Sequence, residues 1–242
     1  MNRREWNWKS PILGENLTMG CWGHFGKPVL LYATATSDHL DYEKFKVIHV
    51  LKPLIESGRI KVYCVEGVSG RAWVDKEVGP GHKAWVQHLF DRYITEEVVP
   101  LIIEDCGGVK GIIAAGASLG AFNAVCIACK HPENFDAVIG MSGTYDYDRW
   151  MGNYRDTTYY FNAPLYFLPN LPEGPLLDRL RKVRFVIASG QGRAEAAWES
   201  ERLAGILRAK GIPTDLQIWA HDVHHDWPTW RTMLPMFLDR LV

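Results

Sequence analysis

The chain has 242 residues, 47% of them hydrophobic and 23% charged, with a formal net charge of −1. That usage excludes a disordered chain and is enough for one domain to close a large core, so a single domain over 1–242 is expected. No stretch concentrates Lys and Arg, which argues against nucleic acid or an anionic membrane surface as partner, and the longest apolar runs, such as 28–33, are far shorter than the roughly 20 residues a bilayer span needs.

At the N-terminus, Arg3-Arg4-Glu5-Trp6-Asn7-Trp8 alternates polar and aromatic residues and lacks the apolar run of a secretory signal. Five cysteines leave an odd thiol over and form no repeated framework, which suits a reducing cytosol, so a cytoplasmic location is expected. Cys126-Ile127-Ala128-Cys129 has redox spacing but lies in an apolar helical stretch, where core packing is the expectation. The sequence leaves homo-oligomer formation open.

In chain order, Trp6, Trp8 and Pro11 followed by Gly14-Glu15-Asn16 and 17–22 read as an antiparallel hairpin. From Pro28 apolar segments alternate with helical ones, the mark of βα repeats and a mostly parallel sheet with helices on both faces. The spacing predicts strands at 29–33, 60–65, 112–115, 137–141, 183–189 and 216–219. Helices are predicted at 42–56, 85–99, 119–130, 198–210 and 227–241, with a polar link over 67–82. Periodicity fails over 142–175, where eight tyrosines and phenylalanines scatter among Asn, Asp and Pro; a lid or cap and an aromatic insertion packed at the sheet edge are both open.

Ile112-Ile113-Ala114-Ala115-Gly116-Ala117-Ser118-Leu119-Gly120 carries the strongest chemical signal: an apolar strand runs through G-x-S-x-G straight into a helix, the context of a nucleophile elbow. Glycines on either side of Ser118 remove Cβ atoms from a sharp turn, and the helix start aims the Leu119 amide at the reacting centre. A serine hydroxyl needs a base, and behind such an elbow the chain order is serine, acid, histidine. That leaves His221, His224 and His225, which lie between the last predicted strand and helix; His225 is preferred, with His221 second, because Asp226 can cap the next helix and Pro228 sits in its first turn. These histidines and Asp222 could also chelate, but they lie on a turn without cysteine, so no metal is expected.

The acid should follow strand 183–189, where Gly190-Gln191-Gly192-Arg193-Ala194 leads to Glu195, with Glu199 and Glu201 further on and expected to be solvated. A second oxyanion donor should come from Thr34-Ala35-Thr36-Ser37, with Ala35 the best candidate.

With these residues in place, the chain resembles the esterase D-like branch of the α/β hydrolases, a family that includes S-formylglutathione hydrolases, feruloyl esterases and mycolyltransferases. Gly116-Ala117-Ser118-Leu119-Gly120-Ala121 matches the family elbow, and His225-Asp226-Trp227-Pro228-Thr229-Trp230 matches its H-D-W-x-x-W ending. The resemblance implies an α/β-hydrolase fold with Ser118 as nucleophile, His225 as base and Glu195 as acid. Arg193 stands where many members have aspartate, and the Thr34 loop lacks their glycines. The expected activity is hydrolysis of a small-molecule carboxylic ester through an acyl-enzyme, without a cofactor. An acyltransferase, or a non-catalytic binding protein on the same scaffold, are the alternatives.

Overall fold

A computed structural model describes residues 1–35 and 37–242; Thr36, part of the candidate oxyanion loop, lies outside the described residues. Among the described residues eight strands form one sheet: β1 (Arg3–Lys9), β2 (Asn16–Trp22), β3 (Lys27–Tyr32), β4 (Ile60–Val65), β5 (Ile112–Ala117), β6 (Phe135–Met141), β7 (Arg184–Ser189) and β8 (Thr214–Ile218). Their order is β1-β2-β4-β3-β5-β6-β7-β8. β1 and β2 form the expected hairpin, β2 pairs antiparallel with β4, and every other neighbour is parallel. β4, β5 and most of β3, β6 and β7 are buried, as parallel strands covered on both faces must be.

One apolar core lies on each face. On one, Trp22, Leu31 and Ile139 meet the C-terminal helix Trp227–Leu241 through Met233, Leu234 and Phe237. On the other, Tyr32 and Val138 meet Phe90, Phe122 and Val125, and the elbow helix Leu119–Lys130 is buried along almost its whole length. Cys126 and Cys129 are in that helix and fully buried, and burial lifts the Cys126 thiol to about 12, which fits a packing role.

Several expectations about helices need correction. The stretch 42–56 is not one helix but three short ones, Asp41–Lys44, Val47–Val50 and Lys52–Glu56, broken at Lys46, whose φ of 64° leaves the helical region. The 67–82 link contains the helix Val68–Val74, and the helix expected at 85–99 starts at Pro80. That helix passes through a π segment, Ile94–Val98, just before Pro100, whose ring lacks the donor an α-helix needs there. Segment 142–175 holds short helices including Asp148–Met151, Thr157–Phe161 and Pro164–Phe167. It packs on the elbow-helix face, with Tyr147 4.2 Å from Phe122 and 4.3 Å from Trp73, centroid to centroid.

Candidate active site

The strand order reverses between β3 and β5, and the C-terminal side of such a switch point is the usual ligand position in an open α/β sheet. Ser118 sits there, between β5 and the elbow helix, with φ 56° and ψ −121°. Few non-glycine residues hold that conformation, and it is kept by surrounding contacts. The Ser118 N–H donates to the Met141 carbonyl at 2.9 Å, and the Ser118 carbonyl accepts from Thr144 N–H at 3.4 Å. The elbow glycines are required by space: a Cβ on Gly116 would lie 2.3 Å from the Gly120 carbonyl, and one on Gly120 would lie 2.2 Å from the Tyr32 carbonyl oxygen. The side chain of Ser118 is partly exposed, and among the described residues its hydroxyl has no hydrogen-bond partner.

Two loops leave the same edge of the sheet at the ends of β7 and β8. Gly192 N–H donates to the Val223 carbonyl (2.9 Å), Arg193 N–H to His224 Nδ1 (2.9 Å) and His225 N–H to the Arg193 carbonyl (3.1 Å). A Cβ at Gly192 would come within 2.1 Å of His224 Nδ1, so only glycine permits so close an approach. This zipper brings His225 Nδ1 to 3.6 Å from Glu195 Oε2. The His225 side chain is 22% exposed and that of Glu195 only 1%. Burial alone would raise the Glu195 pKa, but contact with His225 and hydrogen bonds from Ser142 and Ser189 outweigh it and hold the carboxyl below its ordinary value. Asp226 caps the following helix, accepting from Trp227 N–H at 2.7 Å, with Pro228 in the first turn.

His221, His224 and Asp222 are exposed, and no cluster of three or more His, Cys, Asp or Glu able to hold a metal exists among the described residues. Glu199 is not the solvated carboxylate expected. It is 3% exposed and accepts from Tyr145 N–H (2.5 Å) and Asp146 N–H (2.8 Å), because its helix turns it inward over the start of segment 142–175. Burial raises its pKa.

Leu119 follows β5 and Ala35 follows β3, on either side of the point where the strand order reverses. Among the described residues neither amide N–H has an acceptor. The Ala35 backbone rests on Gly70, where a Cβ would stand 1.9 Å from its carbonyl oxygen. Buried Asp41 braces the same loop, accepting from Thr34 N–H (3.1 Å), Thr34 Oγ1 (2.8 Å) and Ser37 Oγ (2.6 Å).

The family model described as "Putative esterase" matches residues 41–241. The chain belongs to this family. It is a carboxylic-ester hydrolase with the α/β-hydrolase fold. Among curated proteins no match was found. Among solved structures, the esterase is similar to a ferulic acid esterase (TM-score 0.75, 16% identity, 99% of this chain and 98% of that one). It is also similar to an S-formylglutathione hydrolase from Agrobacterium tumefaciens (0.71, 18%, 98% and 93%). A third similar structure is the fluorophosphonate-binding serine hydrolase F of Staphylococcus aureus (0.69, 14%, 99% and 98%).

Sequence reasoning about this esterase passed over several residues at the site. Ser142, at the end of β6, donates from Oγ to Glu195 Oε1 at 2.7 Å and accepts from Trp230 Nε1 at 3.0 Å. Ser189, the last residue of β7, shares its hydroxyl proton between the Gly190 carbonyl at 3.0 Å and Glu195 Oε2 at 3.1 Å. Tyr42 donates to the Tyr32 carbonyl and accepts from Ala117 N–H, both at 3.0 Å, so one phenol joins β3 to the residue before Ser118. The signal available was position alone: each serine closes a parallel strand at the edge where sites collect.

Proposed function

We propose that this esterase works through Ser118 as nucleophile, His225 as general base and Glu195 as the acid that orients it. The observation that carries the reading is the conjunction of Ser118 in its strained elbow with the His225–Glu195 pair at 3.6 Å, on loops that leave the same edge of the sheet. His225 takes the hydroxyl proton as Ser118 attacks the ester carbonyl. The developing oxyanion accepts from the Leu119 and Ala35 amides, whose bracing by the helix start, Gly70 and Asp41 means little rearrangement at the moment of reaction. The alcohol leaves with the proton from His225, and water then releases the acid by the same route. Glu195 keeps the imidazole proton on Nδ1, which leaves Nε2 as acceptor, and its charge stabilises the imidazolium.

The substrate is a small-molecule carboxylic ester, and these steps draw on no cofactor. The chain acts as one domain, with segment 142–175 a packed wall of the cleft rather than a free lid, a reading supported by burial of Tyr145, Tyr147 and Tyr159. Five unpaired thiols fit work in the cytoplasm.

A fluorophosphonate probe and nitrophenyl esters of rising chain length test this together. Stoichiometric labelling that disappears in Ser118→Ala, with turnover lost and the fold intact, supports the assignment. Labelling or turnover that survives in Ser118→Ala overturns it.

A further inference from the structure

The orientation of the Glu195 carboxylate depends on a hydroxyl outside the three residues assigned above. Glutamate is long, and its terminal torsion is soft. Here Oε1 accepts from Ser142 Oγ at 2.7 Å, while Oε2, the oxygen facing His225, has Ser189 Oγ at 3.1 Å, whose one proton is shared with the Gly190 carbonyl at 3.0 Å. The proton on Ser142 has one place to go. Indole Nε1–H is a donor only, so the 3.0 Å contact from Trp230 occupies a Ser142 lone pair and turns the serine proton to Glu195. The Trp230 ring is 4% exposed and stands edge to face on His225, centroids 5.2 Å apart, so one side chain contacts the imidazole and orders the hydroxyl.

The backbone points the same way. Ser142 is 3% exposed and has φ 48°, with its N–H donating to the Ala188 carbonyl at 2.7 Å. Glycine is the ordinary residue at positive φ; a serine kept there in spite of the strain indicates that its side chain is used.

We propose that Ser142, its hydroxyl ordered by Trp230, is a positioning residue that holds the Glu195 carboxylate in the plane from which Oε2 meets His225. The inference rests on the assignment of Glu195 as the orienting acid. Ser142 does not reach the substrate in this role; it acts through Glu195.

Removing the donor leaves Glu195 more basic, so the pair keeps its proton to higher pH. Among the described residues the groups facing the carboxylate are His225, Ser142 and Ser189, and of these only His225 can change charge with Glu195.

The test compares Ser142→Ala, Trp230→Phe, Glu195→Gln and the double variant Ser142→Ala/Glu195→Gln in nitrophenyl acetate hydrolysis, with thermal unfolding of each. Alanine carries the same backbone strain as serine, and Trp230→Phe keeps an aromatic ring beside His225 if the alanine variant fails to fold. Ser142→Ala should lower kcat roughly tenfold with KM unchanged and move the acid limb of the pH–rate profile to higher pH. Trp230→Phe should shift kcat and the limb in the same directions. In the Glu195→Gln background, Ser142→Ala should cost nothing more. An unshifted profile with unchanged kcat in both Ser142→Ala and Trp230→Phe, or a full additional loss in the double variant, overturns the proposal while leaving the triad standing. Near-native turnover by Glu195→Gln overturns the triad acid itself.

Discussion

Glu195 and Glu199 stand four residues apart, both buried, and exchange of each for glutamine separates their duties. At Glu195 an amide places NH2 where a carboxylate oxygen stood. If that group faces His225, Nδ1 must accept, and the tautomer with Nε2 free for the Ser118 proton is lost. If it faces Ser142, the 2.7 Å bond loses its acceptor. Loss of tautomer and charge together corresponds to about 10³–10⁴ in kcat, or roughly 4–5.5 kcal/mol at about 1.36 kcal/mol per tenfold. At Glu199 both N–H donors go to a single oxygen, Oε2, and a glutamine carbonyl can accept both. Because burial raises the Glu199 pKa, the neutral amide also removes a buried charge. Glu199→Gln should therefore keep kcat within about twofold and unfold no earlier than wild type near neutral pH. Glu199→Ala orphans two buried N–H groups at about 1–3 kcal/mol each, a fall on the order of 10 °C in Tm for a chain of this size. The assay is kcat and KM on nitrophenyl acetate beside a thermal melt. A thousandfold loss at Glu199→Gln with Glu195→Gln close to wild type would refute the reasoning and move the acid.

His225→Ala should lower kcat by several orders of magnitude, whereas His224→Ala, which removes an exposed acceptor for Arg193 N–H, should cost only a few-fold; EDTA should leave both wild-type and His224→Ala rates unchanged, as steady-state assays will show. Gly192→Ala must part the β7 and β8 loops, since its Cβ would meet His224 Nδ1 at 2.1 Å and the Val223 carbonyl at 2.6 Å; loss of about 1–3 kcal/mol by denaturant unfolding and at least about a hundredfold in kcat is expected. Glu195 has a lowered pKa in the folded state, so its contribution to stability is full above the ordinary carboxylate value and disappears as pH falls through the depressed one. Glu199 has the opposite sign: its ionisation weakens the fold as pH rises from the ordinary value through the raised one. Melts across the acid range should accordingly give Glu199→Gln a flatter rise on acidification and Glu195→Gln a flatter fall.

The parallel sheet, the elbow and the histidine turn could be read from the sequence because each is encoded within one short window. Ile112–Ala117 is an apolar strand, Gly116 and Gly120 are needed within five residues of each other, and Asp226-Trp227-Pro228 is a helix start whatever it packs against. The hairpin of β1 and β2 is local in the same sense. Helix breaks depended on more. The αL kink at Lys46 carries no glycine or proline to announce it, and helix Val68–Val74 is built around a glycine whose missing Cβ is needed by Ala35, over thirty residues earlier. The carboxylates show the limit most directly. The glycine turn singled out Glu195, but local pattern makes Glu199, at the start of the next helix, a solvated residue, and it is buried. The difference comes from 142–146, where Ser142 reaches one and the amides of Tyr145 and Asp146 reach the other. Parallel strands bring their C-terminal ends to one edge from distant parts of the chain, so hydrogen bonds over 53 or 88 residues, such as Ser142 to Glu195 and Trp230 to Ser142, exist only once the sheet has formed. Local pattern therefore named Ser118, His225 and Glu195 as candidates, and only tertiary packing shows which side chains hold the Glu195 carboxylate beside His225 and that Glu199 braces a loop instead of meeting solvent.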